Sequence, residues 1–455
     1  MKEKIRIASG QGFWGDLIEA PVWQVTKGQI DYLVMDYLAE VTMSILQKQK
    51  NKNPDLGYAR DIPELMRRIL KDVKEKGIKV ITNGGGVNPV ACGKAILKVA
   101  ETLGVKDLKI AVVTGDNLID RIDELITGGD TLNNMETGES IISVKDKILS
   151  ANAYLGAAPI VEALKMGADI VVTGRTTDTG LTLAPMIYEF DWDMKDFDLM
   201  AAGTVAGHIL ECGAQASGGN FMGDWQSVPN FAEIGFPIAE AFPDGSFVIT
   251  KHENLGGIVS VETVSEQLLY EIGDPTNYIT PDCVADFTSI KISQQGTNRV
   301  LVNGIKGKSD TPFLKVSCSY LYGYSASATL TYSWPQALTK VKAADEILRK
   351  RLDNLGLSFE EIRTEIVGYN ACHGPLAKTV NEDDINELVL RIAVRDKSFE
   401  PVDRFGKEIA PLILTGPPSV TGFAGGRPKA SEVVAYWPAL IRKELVKANI
   451  QILGV

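Results

Sequence analysis

Ile170-Val171-Val172-Thr173-Gly174-Arg175 is an apolar, β-branched run followed by a hydroxyl, a glycine and a charge. The phrase recurs as Ile5-Arg6-Ile7-Ala8-Ser9-Gly10, Val80-Ile81-Thr82-Asn83-Gly84 and Ala111-Val112-Val113-Thr114-Gly115-Asp116. Apolar runs bounded by glycine read as buried strands, and helical patterns between them read as parallel βαβ units. The expected fold is α/β, with a largely parallel Rossmann-like sheet whose ligand crevice lies outside the carboxyl ends of its strands. Strands ending at Ser9, Asp36, Thr82, Thr114 and Thr173 would then deliver their polar residues to one edge.

Outward from this core, helical patterns run from Ala39 to Lys50, from Asp61 to Gly77 and from Pro89 to Leu103. Phe197 to Ala216 reads as a further helix, rich in Ala and Gly and so closely packed. The pattern turns to strands between Phe247 and Trp334, where Ala328-Thr329-Leu330-Thr331-Tyr332 alternates with period two. The expected organisation is an N-terminal α/β domain over 1–235, a β-rich segment over 236–336 and an α/β or α+β segment over 337–455. The β-rich segment is expected to pack beside the α/β body as a wall or lid, with Lys251 or His252 near the pocket mouth.

Composition narrows the class. The chain of 455 residues is 45% hydrophobic and 23% charged, a globular balance. A net charge of −11 with scattered Lys and Arg argues against nucleic acid as a partner. No apolar run reaches the roughly 18 residues of a spanning helix, so no membrane partner is expected. Met1-Lys2-Glu3-Lys4 runs straight into a strand with no signal-peptide h-region, so the expected location is cytoplasmic. Five single cysteines and three distant histidines show no metal-type spacing.

Gly10-Gln11-Gly12-Phe13-Trp14-Gly15 follows a strand and satisfies the dinucleotide pattern, with Asp36 where a ribose-binding carboxylate would stand. Gly10, Gly12 and Gly15 are therefore the candidate cofactor-binding residues. Bulky Phe13 and Trp14, and a helix interrupted at Pro21 and Gly28, count against it. Asn83-Gly84-Gly85-Gly86-Val87-Asn88 precedes a helix start and reads either as an anion-holding loop or as a tight turn. Arg175, followed by Thr176, suits a carboxylate or phosphate held bidentately, and Asp178 would orient it or act as a base; a structural Arg–Asp pair is the alternative. Asp116 and Asn117 occupy the corresponding strand end, as ligand contacts or as a helix cap. His208 and Glu211, three apart, share a helix face, in acid/base work or as a satisfied core histidine.

Longer phrases carry a family likeness. Gly12-Phe13-Trp14-Gly15-Asp16, Asp31 to Glu40, Ser150 to Ala157, Gly203 to His208, Glu211 to Ala216 and Gln267 to Pro275 together resemble the acyclic terpene utilisation protein A family over nearly the whole chain. The resemblance implies a setting in bacterial citronellol and geraniol breakdown, where acyl-CoA thioesters are carboxylated, hydrated and cleaved. It also implies that a small partner subunit supplies the extra C-terminal domain that longer members carry. It brings no family-wide catalytic set, so the site residues rest on strand-end position alone.

The leading expectation is an enzyme of hydratase or lyase type acting on a branched carboxylic acid or its CoA thioester. Substrate would be held by Asn83, Gly84, Gly85, Gly86, Asn88, Asp116, Asn117, Arg175 and Thr176. Asp36, Glu40, Asp178 or His208 would move the proton. A divalent ion such as Mg on the acidic strand ends is left open, with CoA entering as part of the substrate. A dinucleotide-dependent oxidoreductase and a non-catalytic subunit of a multi-enzyme complex are the rival readings. A homo-oligomer is expected.

Overall fold

The computed structural model describes residues 2–423 and 425–454. The chain falls into two compact units, Met1–Ser319 with Tyr436–Val455, and Tyr320–Ala435.

The first unit is built on β1 (Ile5–Gln11), β2 (Tyr32–Met35), β3 (Lys79–Thr82), β4 (Lys109–Thr114), β5 (Ile148–Ala153) and β6 (Ile170–Thr173). Five of these pair in parallel in the order β1-β2-β3-β6-β4. Their apolar runs look continuous because both faces are covered. Leu33, Met35, Val80, Val112 and Val172 point into one core, while Tyr32, Val34, Ile81, Val113 and Val171 point into the other. Helices Ile62–Lys76 and Pro89–Leu103 cover the first face; Gly180–Phe190 and Phe197–Leu210 cover the second. The chain leaving β3 thus turns to one side and the chain leaving β6 to the other. That divergence opens a crevice at the carboxyl ends, as at the switch point of any wound sheet.

The sheet as a whole is mixed. Among the described residues it has ten strands, and β7 (Ile238–Ala241), β8 (Phe247–Thr250), Arg299–Asn303 and Lys291–Gly296 extend it antiparallel beyond β1. The largely parallel Rossmann-like sheet expected from sequence is corrected to this arrangement. These strands continue the main sheet instead of forming a layer beside it. The cause is local. A tight reversal, in which Phe242 N–H donates to the Ser246 carbonyl and Gly245 takes φ +83°, sends β8 back along β7. On the far edge Asn449–Gly454 pairs antiparallel with β4 and covers its open hydrogen-bonding groups.

The second unit is an antiparallel sheet with helices, an α+β arrangement. Residues 324–333 of the long strand Phe313–Ser333 pair with Glu387–Asp396, which pairs in turn with Glu361–Val367. Helices Ala337–Asn354 and Phe399–Ile409 close its core around Leu330, Leu348, Leu390 and Phe405. Among the described residues, no helix is long and apolar enough to cross a membrane.

Candidate functional site

Four polar residues at the strand ends form two pairs, Asn83 with Asp36 and Asn152 with Asp116. Asn83 Nδ2 donates to Asp36 Oδ1 at 2.6 Å, and Asn83 Oδ1 accepts from the Tyr37 N–H at 2.8 Å. Asp116 Oδ2 accepts from Asn152 Nδ2 and from the Arg175 N–H, both at 2.8 Å. All four residues are buried. Burial and the charge of Asp178 push the Asp36 carboxyl well above the usual range, although Arg175 and Asn83 oppose the shift. Burial likewise lifts Asp116 to about 6, against the hydrogen bonds it accepts. Asn83 and Asp116 therefore pin the strand ends together. Asn117 accepts from the Ile119 N–H in a local turn, and Thr176 Oγ1 donates to the Leu155 carbonyl.

The glycine loops are filled by protein. A Cβ on Gly85 would stand 2.5 Å from the Thr173 carbonyl, and one on Gly84 2.4 Å from Ile62. The Gly84 N–H donates to Thr82 Oγ1, those of Gly86 and Asn88 donate within the turn, and Asn88 Oδ1 caps the helix Pro89–Leu103. The stretch Gly84 to Asn88 is thus a tight turn in which the N–H groups of Gly84, Gly86, Val87 and Asn88 donate to protein. Gly12 is similar: its N–H donates to Asp16 Oδ2, and the space of its missing Cβ is occupied by the backbone of Cys212 and Gly213. Gly10 backs onto Leu33 and Met35, and Gly15 turns the chain at φ +103°. At Gly12 a pyrophosphate has neither a free N–H nor room.

The usable space lies one step further out, in a cleft of about 420 Å³. Arg175, Asp178, His208, Glu211, Glu40 and Tyr154 line it, with Glu271 and Lys315. Arg175 is only 2% exposed. Its Nη1 donates to Asp178 Oδ1 at 2.6 Å and to the Thr176 carbonyl at 3.2 Å, and its guanidinium carbon sits 4.0 Å over the Tyr154 ring. Burial works against its charge, and Asp178, Tyr154 and Asp36 outweigh that, so it stays cationic.

His208 reaches this loop by close helix packing. A Cβ on Gly207 would lie 2.6 Å from Thr179 backbone, so the two helices touch just beside Asp178. His208 Nδ1 stands 2.9 Å from Glu211 Oε1 but off the line a hydrogen bond needs, leaving both ring nitrogens without hydrogen-bond partners. Its ring is packed edge-on between Tyr278 and Phe287. Burial disfavours the imidazolium, yet the Glu211 charge wins and raises the His208 pKa; burial raises that of Glu211 as well. Both shifts favour the protonated forms, with Glu211 partly exposed and both His208 nitrogens sealed from water.

The profile of the family described as acyclic terpene utilisation family protein AtuA matches residues 5–452. The chain belongs to this AtuA family. No curated protein and no solved structure matches it.

In this AtuA family member the strand-end candidates separate into two groups. Glu40, Asp178, His208 and Arg175 line the cleft, whereas Asp36, Asn83, Asp116, Thr176 and the glycines lie beneath or away from it. Lys251 and His252 do not reach it: Lys251 Nζ donates to the Leu255 carbonyl and His252 Nε2 faces the Gln24 carbonyl, both buried. Tyr154, Glu271 and Lys315 are additions from the structure. Tyr154 follows β5 and obeys the same strand-end logic, so it carried a readable signal; Lys315 carried none. Among the described residues, no three His, Cys, Asp or Glu side chains gather as metal ligands.

Proposed function

We propose that the protein is an enzyme of hydratase or lyase type acting on a branched carboxylic acid or its CoA thioester in acyclic terpene utilisation. The observation that carries this reading is one cleft holding a protonatable His208–Glu211 pair beside an Arg175–Asp178 pair. Adding water across a double bond conjugated to a carbonyl needs a base for the water and an acid for the α-carbon. Asp178, 32% exposed, takes the proton from water as its oxygen bonds to the β-carbon. His208, which lines the cleft with both ring nitrogens buried, gives a proton to the α-carbon after a side-chain rotation that exposes one of them, and Glu211 stabilises the imidazolium beforehand. The balance is one water consumed per double bond lost, with no other reactant. Arg175 supplies fixed positive charge near the enolate-like intermediate. The cleft volume falls within the usual range for small-molecule sites, so the acyl part enters and a CoA nucleotide would lie outside.

The test uses the full chain with geranate and with its CoA thioester in deuterated water. Deuterium at the α-carbon, detected by NMR, and its loss in Asp178→Asn and His208→Gln are expected. Turnover by the chain alone also separates this reading from that of a non-catalytic subunit. Exchange that persists in both variants, or is absent with both ligands, overturns the reading.

A further inference from the structure

We infer that Lys315 takes the free carboxylate of the substrate, which makes the substrate class an unesterified branched acid. This rests on the acid/base reading of the same cleft. Among the described residues an arginine and a lysine line that cleft, and they differ in what they can offer. Arg175 has Nη1 and Nη2 on Asp178 and on the Thr176 carbonyl, and its Nε, though unpartnered, is sealed from the cleft. No edge of that guanidinium is free to fork onto a ligand.

Lys315 is the reverse. It is 43% exposed, and its Nζ makes no hydrogen bond among the described residues. Glu40 Oε1, 3.7 Å away, is too far to accept one and already accepts from the Tyr154 hydroxyl at 3.0 Å. The ammonium lies 5.0 Å from the Tyr154 ring centre and 5.7 Å from that of Tyr436, so the rings confine the charge without consuming its donors. The backbone fixes it there, because the Tyr154 N–H donates to the Lys315 carbonyl at 2.9 Å.

The rest of the lining suits a hydrocarbon chain. Met135, Ile279, Phe313 and Leu440 are all exposed large apolar side chains, and all line this one cleft. Phe313 and Lys315 are two apart on one strand and so share a face. An ammonium with free donors next to an apolar wall fits a carboxylate on a branched hydrocarbon. A thioester carbonyl is neutral and would add no charge to that of Glu40, which pairs with the ammonium at 3.7 Å without a hydrogen bond.

Calorimetric titration of the full chain with geranate, its methyl ester and its CoA thioester tests this, using the wild type, Lys315→Met and Lys315→Arg. Lys315→Met is expected to weaken geranate binding about 30-fold, the scale of a lost charge-assisted hydrogen bond. Lys315→Arg should keep binding within several-fold, and the ester should bind weakly and equally to all three. Geranate binding unchanged in Lys315→Met, ester binding as tight as acid binding, a thioester bound best without regard to Lys315, or no geranate binding by the wild type would each overturn it. Lys315-dependent binding without turnover instead spares this inference and removes only the hydratase reading.

Discussion

Arg175→Met separates a structural cation from a ligand-binding one. The substitution keeps the stem and deletes the guanidinium. Three interactions go with it: the ion pair to Asp178 at 2.6 Å, the bond to the Thr176 carbonyl at 3.2 Å and the stacking on Tyr154 at 4.0 Å. Breaking a buried pair from one side costs about 3–5 kcal/mol. Asp178 is 32% exposed and regains water, which brings that term down to about 2 kcal/mol. The carbonyl bond and the ring contact add about 1 kcal/mol each, and neighbouring losses overlap, so the total is about 3 kcal/mol. In a unit of this size that lowers the melting temperature by about 5 °C. Circular dichroism melts and urea titrations of the full chain measure it. From sequence alone, Arg175→Lys is expected to spare stability and lose binding; the buried pairing reverses that order. A variant melting within about 1 °C of the wild type yet unable to bind ligand would refute the structural role.

Gly85→Val should prevent folding and not merely block a ligand, because its Cβ would meet the Thr173 carbonyl at 2.5 Å and Pro89 at 2.7 Å; soluble, stable protein with only binding lost would contradict this. Asp116, lifted by burial to about 6 in the folded protein, binds its proton more tightly there than when unfolded. Its contribution is full below the unfolded value near 4 and is lost as pH rises through 6, by about 3 kcal/mol. Between those pH values Asp116→Asn should therefore flatten the decline of stability measured by urea unfolding, and an unaltered slope would count against it. Glu211→Gln removes the charge that raises the His208 pKa and leaves burial, which lowers it, so the alkaline limb of the kcat/KM profile should move to lower pH. A limb that stays in place would show that His208 is not the titrating acid.

The parallel core is legible because strands such as Tyr32–Met35 and Ile170–Thr173 are buried on both faces, and only continuous apolar runs satisfy that. Strand direction is less legible. Ile238–Ala241 is as buried as Tyr32–Met35 although it carries Glu240, yet it meets β1 antiparallel, and the reversal at Gly245 accounts only for the direction of the next strand. Strand-end logic finds the right edge of the sheet but does not distinguish a side chain turned into the cleft from one turned under it. Asp36 and Asp178 look equivalent as carboxylates after a strand; one accepts from Asn83 beneath the floor and the other projects into solvent on Arg175. That difference is made by which neighbour arrives first, a tertiary fact. Lys315 is harder still. An exposed lysine alternating with buried Leu314 and Val316 reads as an ordinary solvated edge. What turns it into a cleft residue is the backbone bond from Tyr154, far away in the chain, which sets the ammonium above two tyrosine rings and next to Phe313. A ligand-binding cation of this kind has no local motif, since its chemistry comes from partners that the chain assembles only by folding.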